Sequence, residues 1–161
     1  MQQFGLEELI DHTLCITGYD GDEAEVVIPD TFSDMPVTML SDEIFKGHAE
    51  ITSVKLPAHV TYLGGCVFDG CTALRALTLP AGLRYIFQYT FARSGIEEIV
   101  LPEGVVSIPP FAFKDCKALR RVVCGTALET IHAWAFQGCD ALTEVVYAPG
   151  TSVSPDAFAA K

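Results

Sequence analysis

Phenylalanine recurs along this chain at an almost constant step. Phe45, Phe68, Phe91, Phe113, Phe136 and Phe158 are spaced 23, 23, 22, 23 and 22 residues apart, and they account for six of the ten phenylalanines. Other apolar columns keep the same step. Val54, Leu77, Ile99, Val122 and Val145 form one column, and Leu40, Leu63, Ile86, Ile108, Ile131 and Val153 form another. Ile51, Leu74, Ile96, Leu119 and Leu142 make a third, and Val37, Val60, Leu83, Val105 and Leu128 a fourth. Self-similarity at a fixed period of this size is the signature of a stacked repeat architecture. It excludes a fold built around one central core of unrelated elements. The chain has 161 residues, of which 50% are hydrophobic and 19% charged, so it can fill a repeat-built core and is not disordered as a whole.

One unit reads, from Thr52, T-S-V-K-L-P-A-H-V-T-Y-L-G-G-C-V-F-D-G-C-T-A-L. Ser53-Val54-Lys55-Leu56 alternates as a strand with one buried face does. Pro57 removes a backbone donor and ends that strand. Val60-Thr61-Tyr62-Leu63 alternates again and predicts a second short strand. Cys66 to Cys71, around Phe68, predicts a tight helical turn, and Leu74 leads into the next unit. A unit of this length cannot bury its apolar face alone, but stacked copies cover one another. With strands about 4.8 Å apart, six coils of 22–23 residues make a solenoid about 30 Å long.

These residues resemble the BspA-like leucine-rich repeats, also called the Treponema pallidum type. The shared pattern is L-x-x-[V/I]-x-[L/I]-P-x-x-V-x-x-[I/L]-x-x-x-[A/V]-F-x-x-C-x-x-L. Ile16-Thr17-Gly18-Tyr19, Val26-Val27-Ile28-Pro29 and Met35-Pro36-Val37-Thr38 resemble the atypical first repeat of that family, with about five extra residues between Ile28 and Val37. The resemblance covers roughly residues 14–158. It implies a leucine-rich repeat solenoid, β-rich with short helical turns. The whole chain, 1–161, then forms a single domain, with 1–36 as N-terminal cap and atypical first repeat and 37–158 as regular repeats. It implies a protein-binding module, usually bacterial and often a cell-surface adhesion element. The sequence departs from the pattern in three places. Ser94-Gly95 stands where Asp-Gly-Cys stands in the unit from Thr52, Gly125 replaces the strand-ending proline, and the last unit stops at Phe158-Ala159-Ala160-Lys161.

Charge narrows the partners. The net charge is −11, and all of it lies in residues 1–50, which hold 12 acidic residues and one basic residue, Lys46. So acidic a chain is a poor general binder of nucleic acid or anionic lipid. No apolar run approaches the length a membrane helix needs, so neither nucleic acid nor membrane insertion is expected. The densest acidic piece, Asp20-Gly21-Asp22-Glu23-Ala24-Glu25, lacks the EF-hand pattern. It reads as a solvated turn, with calcium binding left open. Residues 1–14 lack the basic start and apolar stretch of a signal peptide. The family resemblance suggests a secreted or cell-surface location, and the missing leader allows a cytoplasmic one. Phe4 to Ile10 reads as a short amphipathic cap over the first coil, whereas the C-terminal coil shows no matching cap.

The six cysteines follow the repeat: Cys71, Cys116 and Cys139 share a column with His48 and Ser94, and Cys124 stands in the column of Leu56, Leu79 and Leu101. That placement predicts buried free thiols, not disulfides or a metal centre, and no C-x-x-C occurs. Cys66 and Cys71, five apart, could pair only if their β-carbons faced each other. The four histidines lie on different columns, and neither a nucleophile elbow, a Walker loop, an H-E-x-x-H nor a dinucleotide fingerprint is present. Glu97 and Glu98 should point to opposite faces of a strand. No catalytic, metal or cofactor site is expected.

Two candidate binding faces emerge. The first is the outward strand face, with Ser53, Ala76, Glu98, Arg121 and Glu144 in one column and Lys55, Thr78, Val100, Val123 and Val146 in the next. Side chains two apart share that face. The second is an aromatic stripe, Tyr89, Phe111 and Trp134, each two residues before the column phenylalanine, with Tyr62 and Tyr85 on the neighbouring strand. Such rings either anchor a partner or finish the core. The expected function is non-catalytic binding of a protein or glycan through Tyr89, Phe111, Trp134, Glu98, Arg121 and Glu144. A structural, weakly self-associating protein stacking through its C-terminal coil is the alternative.

Overall fold

The computed structural model describes residues 1–160; Lys161, the last residue of the shortened sixth unit, lies outside them. The chain winds into stacked coils, and each coil contributes up to two short strands. One face is built from β3 (Glu25–Val27), β6 (Ser53–Lys55), β9 (Glu98–Val100), β11 (Arg121–Val123) and β13 (Glu144–Val146). The other is built from β2 (Leu14–Asp20), β5 (Met35–Leu40), β7 (Tyr62–Leu63), β8 (Tyr85–Ile86), β10 (Ser107–Ile108), β12 (Thr130–Ile131) and β14 (Ser152–Val153). Coil-to-coil pairing is parallel and in register, as in Val122 with Ile99 and Val145, or Ile131 with Ile108 and Val153. The five columns found in the sequence are the core except toward the last coil, where Leu142, Val145 and Val153 are half-buried and Phe158 is exposed, and Phe45, Phe68, Phe91, Phe113 and Phe136 are its largest fully buried side chains. Their rings stack in a row with centroids 5.0–5.9 Å apart.

The expected helical turns are turns without a helix among the described residues. Each contains two left-handed residues four apart, which stop a right-handed helix from propagating. Glu43, Cys66, Tyr89, Phe111 and Trp134 occupy the first position, and Gly47, Gly70, Arg93, Asp115 and Gly138 the second. The turn amides reach into the next coil instead, as when Phe45 donates to Val67 and Phe68 to Thr90. The column thiols add to this ladder. Cys71, Cys116 and Cys139 donate to the carbonyls of Phe45, Phe91 and Phe113 at 3.2, 3.0 and 2.9 Å. All six cysteines are free, three buried and three half-buried.

The N-terminal cap is a strand. β1 (Gln3–Glu8) pairs antiparallel with β2, and β4 (Thr31–Phe32) turns back on β5. Phe4 packs against Tyr19 and Phe32, but Leu6 and Ile10 are exposed, so the cap is less amphipathic than its sequence suggests. The edge of β3 is closed by one side chain. The Gln2 amide donates to the Glu25 carbonyl at 2.6 Å and accepts from the Val27 amide at 3.1 Å, in the manner of a paired strand.

The strand face is not continuous, contrary to what the repeat predicts. Among the described residues β6 pairs only with β3, and β9 pairs only with β11. Between them, Ala76-Leu77-Thr78 forms no strand. Two local causes coincide there. Leu77 is the one member of its column that is not β-branched, and it follows an alanine, so this coil has the weakest strand preference. The next turn is also one residue short, with five steps from Phe91 to Ile96 against six from Phe68 to Leu74. The shortened path draws the Gly95 amide to the Cys71 carbonyl at 3.1 Å, while the Glu97 amide keeps the bond to Arg75, at 3.0 Å, that recurs from Arg120 to Glu97 and from Thr143 to Arg120. The second sheet breaks at the same junction, since β8 does not pair with β10.

Candidate binding faces

The strand face carries Glu98, Arg121 and Glu144 side by side, because strand register places Arg121 opposite both glutamates. The Arg121 guanidinium donates to Glu144 at 2.7 Å. Arg120 lies within 3.7 Å of Glu97 and 3.6 Å of Glu98. The two glutamates therefore do not face opposite ways, because Glu97 sits in the corner before β9 and escapes strand alternation. Neighbouring positions two residues on are apolar, and Val100 is 62% exposed. The break at Ala76 turns this face into a groove of about 500 Å³, lined by Ala76, Leu77, Thr78, Leu79, Glu98, Val100 and Arg121 among others. A second groove, of about 490 Å³, lies on the other side of the same segment against β6. The small side chain of Ala76 and the unpaired main chain beside it make the depression.

The aromatic stripe is a stacked ladder. Tyr89 and Phe111 have centroids 5.1 Å apart at 10° between planes, and Phe111 and Trp134 are 5.5 Å apart at 11°. Arg93 lies 5.8 Å over the Tyr89 ring, and Lys114 lies 5.7 Å over Phe111. Tyr89 and Phe111 are half-buried, and Trp134 is 42% exposed. Because the rings face one another along the solenoid axis, they show mainly edges to solvent. Arg93 is fixed from below by a bidentate pair with buried Asp69 at 2.8 and 2.6 Å, and this hydrogen bonding holds its guanidinium charged. On the neighbouring strands, Tyr62 packs on Phe87 at 4.7 Å, and Tyr85 and Phe87 are exposed. Phe87 extends this patch beyond the two tyrosines legible in the sequence.

The acidic loop is organised by Glu23, which accepts from the Tyr19 hydroxyl and the Asp22 amide, both at 3.2 Å. Burial, with Glu23 next in effect, pushes the Tyr19 hydroxyl up to about 12. Among the described residues no group of three or more His, Cys, Asp or Glu is placed to hold a metal ion. No helix among them is long and apolar enough to cross a membrane.

A family model described as a BspA type leucine rich repeat region matches residues 38–161 in 6 copies. Among solved structures, the chain is similar to a leucine-rich repeat protein of T. pallidum, with 28% identity and a TM-score of 0.74 over 93% of this chain and 82% of that one. It is similar to a leucine-rich repeat protein of Bacteroides ovatus, with 26% identity and a TM-score of 0.65 over 90% of this chain and 46% of that one. A leucine rich cell surface protein of Faecalibacterium prausnitzii shares the fold at 21% identity and a TM-score of 0.61, over 91% of this chain and 54% of that one. The chain thus spans about half the length of these last two proteins. No curated protein sequence matches this chain.

Proposed function

This chain belongs to the BspA-type leucine-rich repeat family, and from that premise we propose that it is a non-catalytic module that binds a protein partner on its strand face, in a cell-surface adhesion setting. The observation that carries this reading is the groove of about 500 Å³ that places Glu98 and Arg121 beside exposed Val100. An apolar floor with charged side chains of both signs at its rim suits a protein surface. The aromatic ladder supports a glycan less well. A sugar stacks on the face of a ring, and Phe111 is stacked on both faces while Tyr89 and Trp134 are each stacked on one.

Arrays of extracellular proteins and of glycans, probed with the full chain and with Arg121→Glu and Trp134→Ala variants, test this. The expected result is binding to a protein that Arg121→Glu abolishes and Trp134→Ala leaves intact. Glycan binding that depends on Trp134 would overturn it.

A second reading is self-association through the C-terminal coil. There the outer edges of β13 and β14 have no strand partner among the described residues. Phe158 stacks on Phe136 at 5.3 Å yet is 47% exposed, beside a groove of about 360 Å³. Sedimentation over a range of concentrations tests it: a rising mass supports the reading, and a constant monomer mass refutes it.

A further inference from the structure

Stacked repeats bring equivalent side chains of neighbouring coils together, so a residue type that recurs in one column meets itself. Of the six free cysteines, only Cys116 and Cys139 share a column in adjacent coils. Cys71 stands in the same column but is separated from Cys116 by Ser94, whose hydroxyl lies 3.7 Å from the Cys116 sulfur. Cys15, Cys66 and Cys124 occupy columns without a second cysteine. The turns that carry the pair are held in register. The Phe113 amide donates to Ala135 at 2.8 Å, the Asp115 amide to Gln137 at 2.7 Å, and Lys117 Nζ to the Gly138 carbonyl at 2.7 Å. Coils in such register lie about 4.8 Å apart, inside the range of about 4.4–6.8 Å that the Cα atoms of a disulfide span. The two sulfurs are in hydrogen-bond contact with each other as well as with the column carbonyls. Cys116 is fully buried, whereas Cys139 is half-buried and lines the groove of about 360 Å³ at the C-terminal coil. A small oxidant therefore reaches Cys139 first.

We propose that Cys116 and Cys139 form an oxidation site, in which a hydroperoxide entering by the C-terminal groove attacks at Cys139 and Cys116 closes a disulfide between the two coils. The Cys139 thiol loses its proton, its sulfur takes one peroxide oxygen, the O–O bond breaks, and the leaving oxygen departs as water. The Cys116 sulfur then attacks the Cys139 sulfenic acid, and its proton leaves with the hydroxyl as a second water. The two thiols lose two electrons and the peroxide gains them. Contact with Cys116, together with burial, pushes the Cys139 thiol up, so the first step is slow at neutral pH and quickens as pH rises. The bond joins residues 23 apart in sequence and restricts the unfolded chain, which stabilises the last coils. The pair lies in the turns and is independent of the strand face proposed for binding.

The test treats the native full chain with excess hydrogen peroxide at mildly alkaline pH and maps the products by tandem mass spectrometry of proteolytic digests. The expected result is a chain lighter by two hydrogen atoms, with Cys116 linked to Cys139 and the other four cysteines still reduced. Thermal unfolding should shift upward by about 5 °C or more, and dithiothreitol should reverse both changes. Cys139→Ser should lose the link and the thermal shift together. Sulfinic acid at Cys139 without a link, a link between any other two cysteines, or no reaction at either thiol would overturn the proposal.

Discussion

Phe111 and Trp134 stack with ring centroids 5.5 Å apart, and both hold a left-handed backbone, with φ of 63° and 61°. The two facts oppose each other energetically. A left-handed φ costs a non-glycine residue about 1–2 kcal/mol, and an aromatic pair returns about 0.5–1.5 kcal/mol beyond its buried area. Trp134→Ala keeps the strain and loses the stack, whereas Trp134→Gly loses both. Trp134→Gly should therefore be the more stable variant by about 1 kcal/mol in urea unfolding. The same exposure predicts red-shifted emission from this single tryptophan, readily quenched by acrylamide.

The repeat columns predict two very different costs in neighbouring coils. Phe91 is fully buried between Phe68 and Phe113, so Phe91→Ala should lower stability by about 3–5 kcal/mol. Glu98 is exposed, and its partner Arg120 stands 3.6 Å away. Glu98→Ala should cost less than about 0.5 kcal/mol. Equal costs in chemical denaturation would contradict the column assignment.

Gly95 sits where the repeat loses a residue. A Cβ there would run into the Thr72 carbonyl and stand 3.1 Å from that of Leu74. Gly95→Ala should destabilise the chain by about 1–3 kcal/mol, as overpacking does. At Gly82 a Cβ would meet nothing within 4 Å. Alanine there should change stability by no more than about 0.5 kcal/mol. Thermal unfolding of the two variants makes the comparison.

Stability should fall at alkaline pH through Cys71. Its thiol is wholly buried, and burial, with smaller contributions from Glu50 and Asp69, pushes it up to about 12 from 9.0. Because the folded value is the higher one, this contribution is present below about pH 9 and is lost as pH rises toward about 12. The slope is about 1.4 kcal/mol per pH unit within that window. Urea midpoints from pH 8 to 11 should decline more steeply for the wild-type chain than for Cys71→Ala, and parallel declines would contradict the assignment.

The core was legible in the sequence because each buried column is occupied by one kind of side chain at one step, from Phe45 to Phe136 and from Leu40 to Ile131. Arg121, Glu98 and Glu144 were legible as neighbours for the same reason, since parallel register makes column members adjacent. The turns were not, because Cys66 to Cys71 has helical spacing and nothing in its composition announces left-handed residues at Cys66, Tyr89 or Trp134. The closing of β3 by Gln2 was also hidden, because it depends on a side chain reaching 25 residues along the chain. The break at Ala76 did leave a signal, in the unbranched Leu77 and the shortened turn after Phe91, but a repeat pattern draws attention to what recurs and away from where it lapses.

Residue-resolved amide exchange of the free chain tests the open strand face most directly. Leu101 and Cys124 donate to the next coil at 2.7 and 2.8 Å, and Leu77 and Leu79 have no such bonds. The Leu77 and Leu79 amides should exchange about a hundredfold faster than those of Leu101 and Cys124. Equal protection at all four would mean an unbroken sheet and would remove the groove on which the binding face is built.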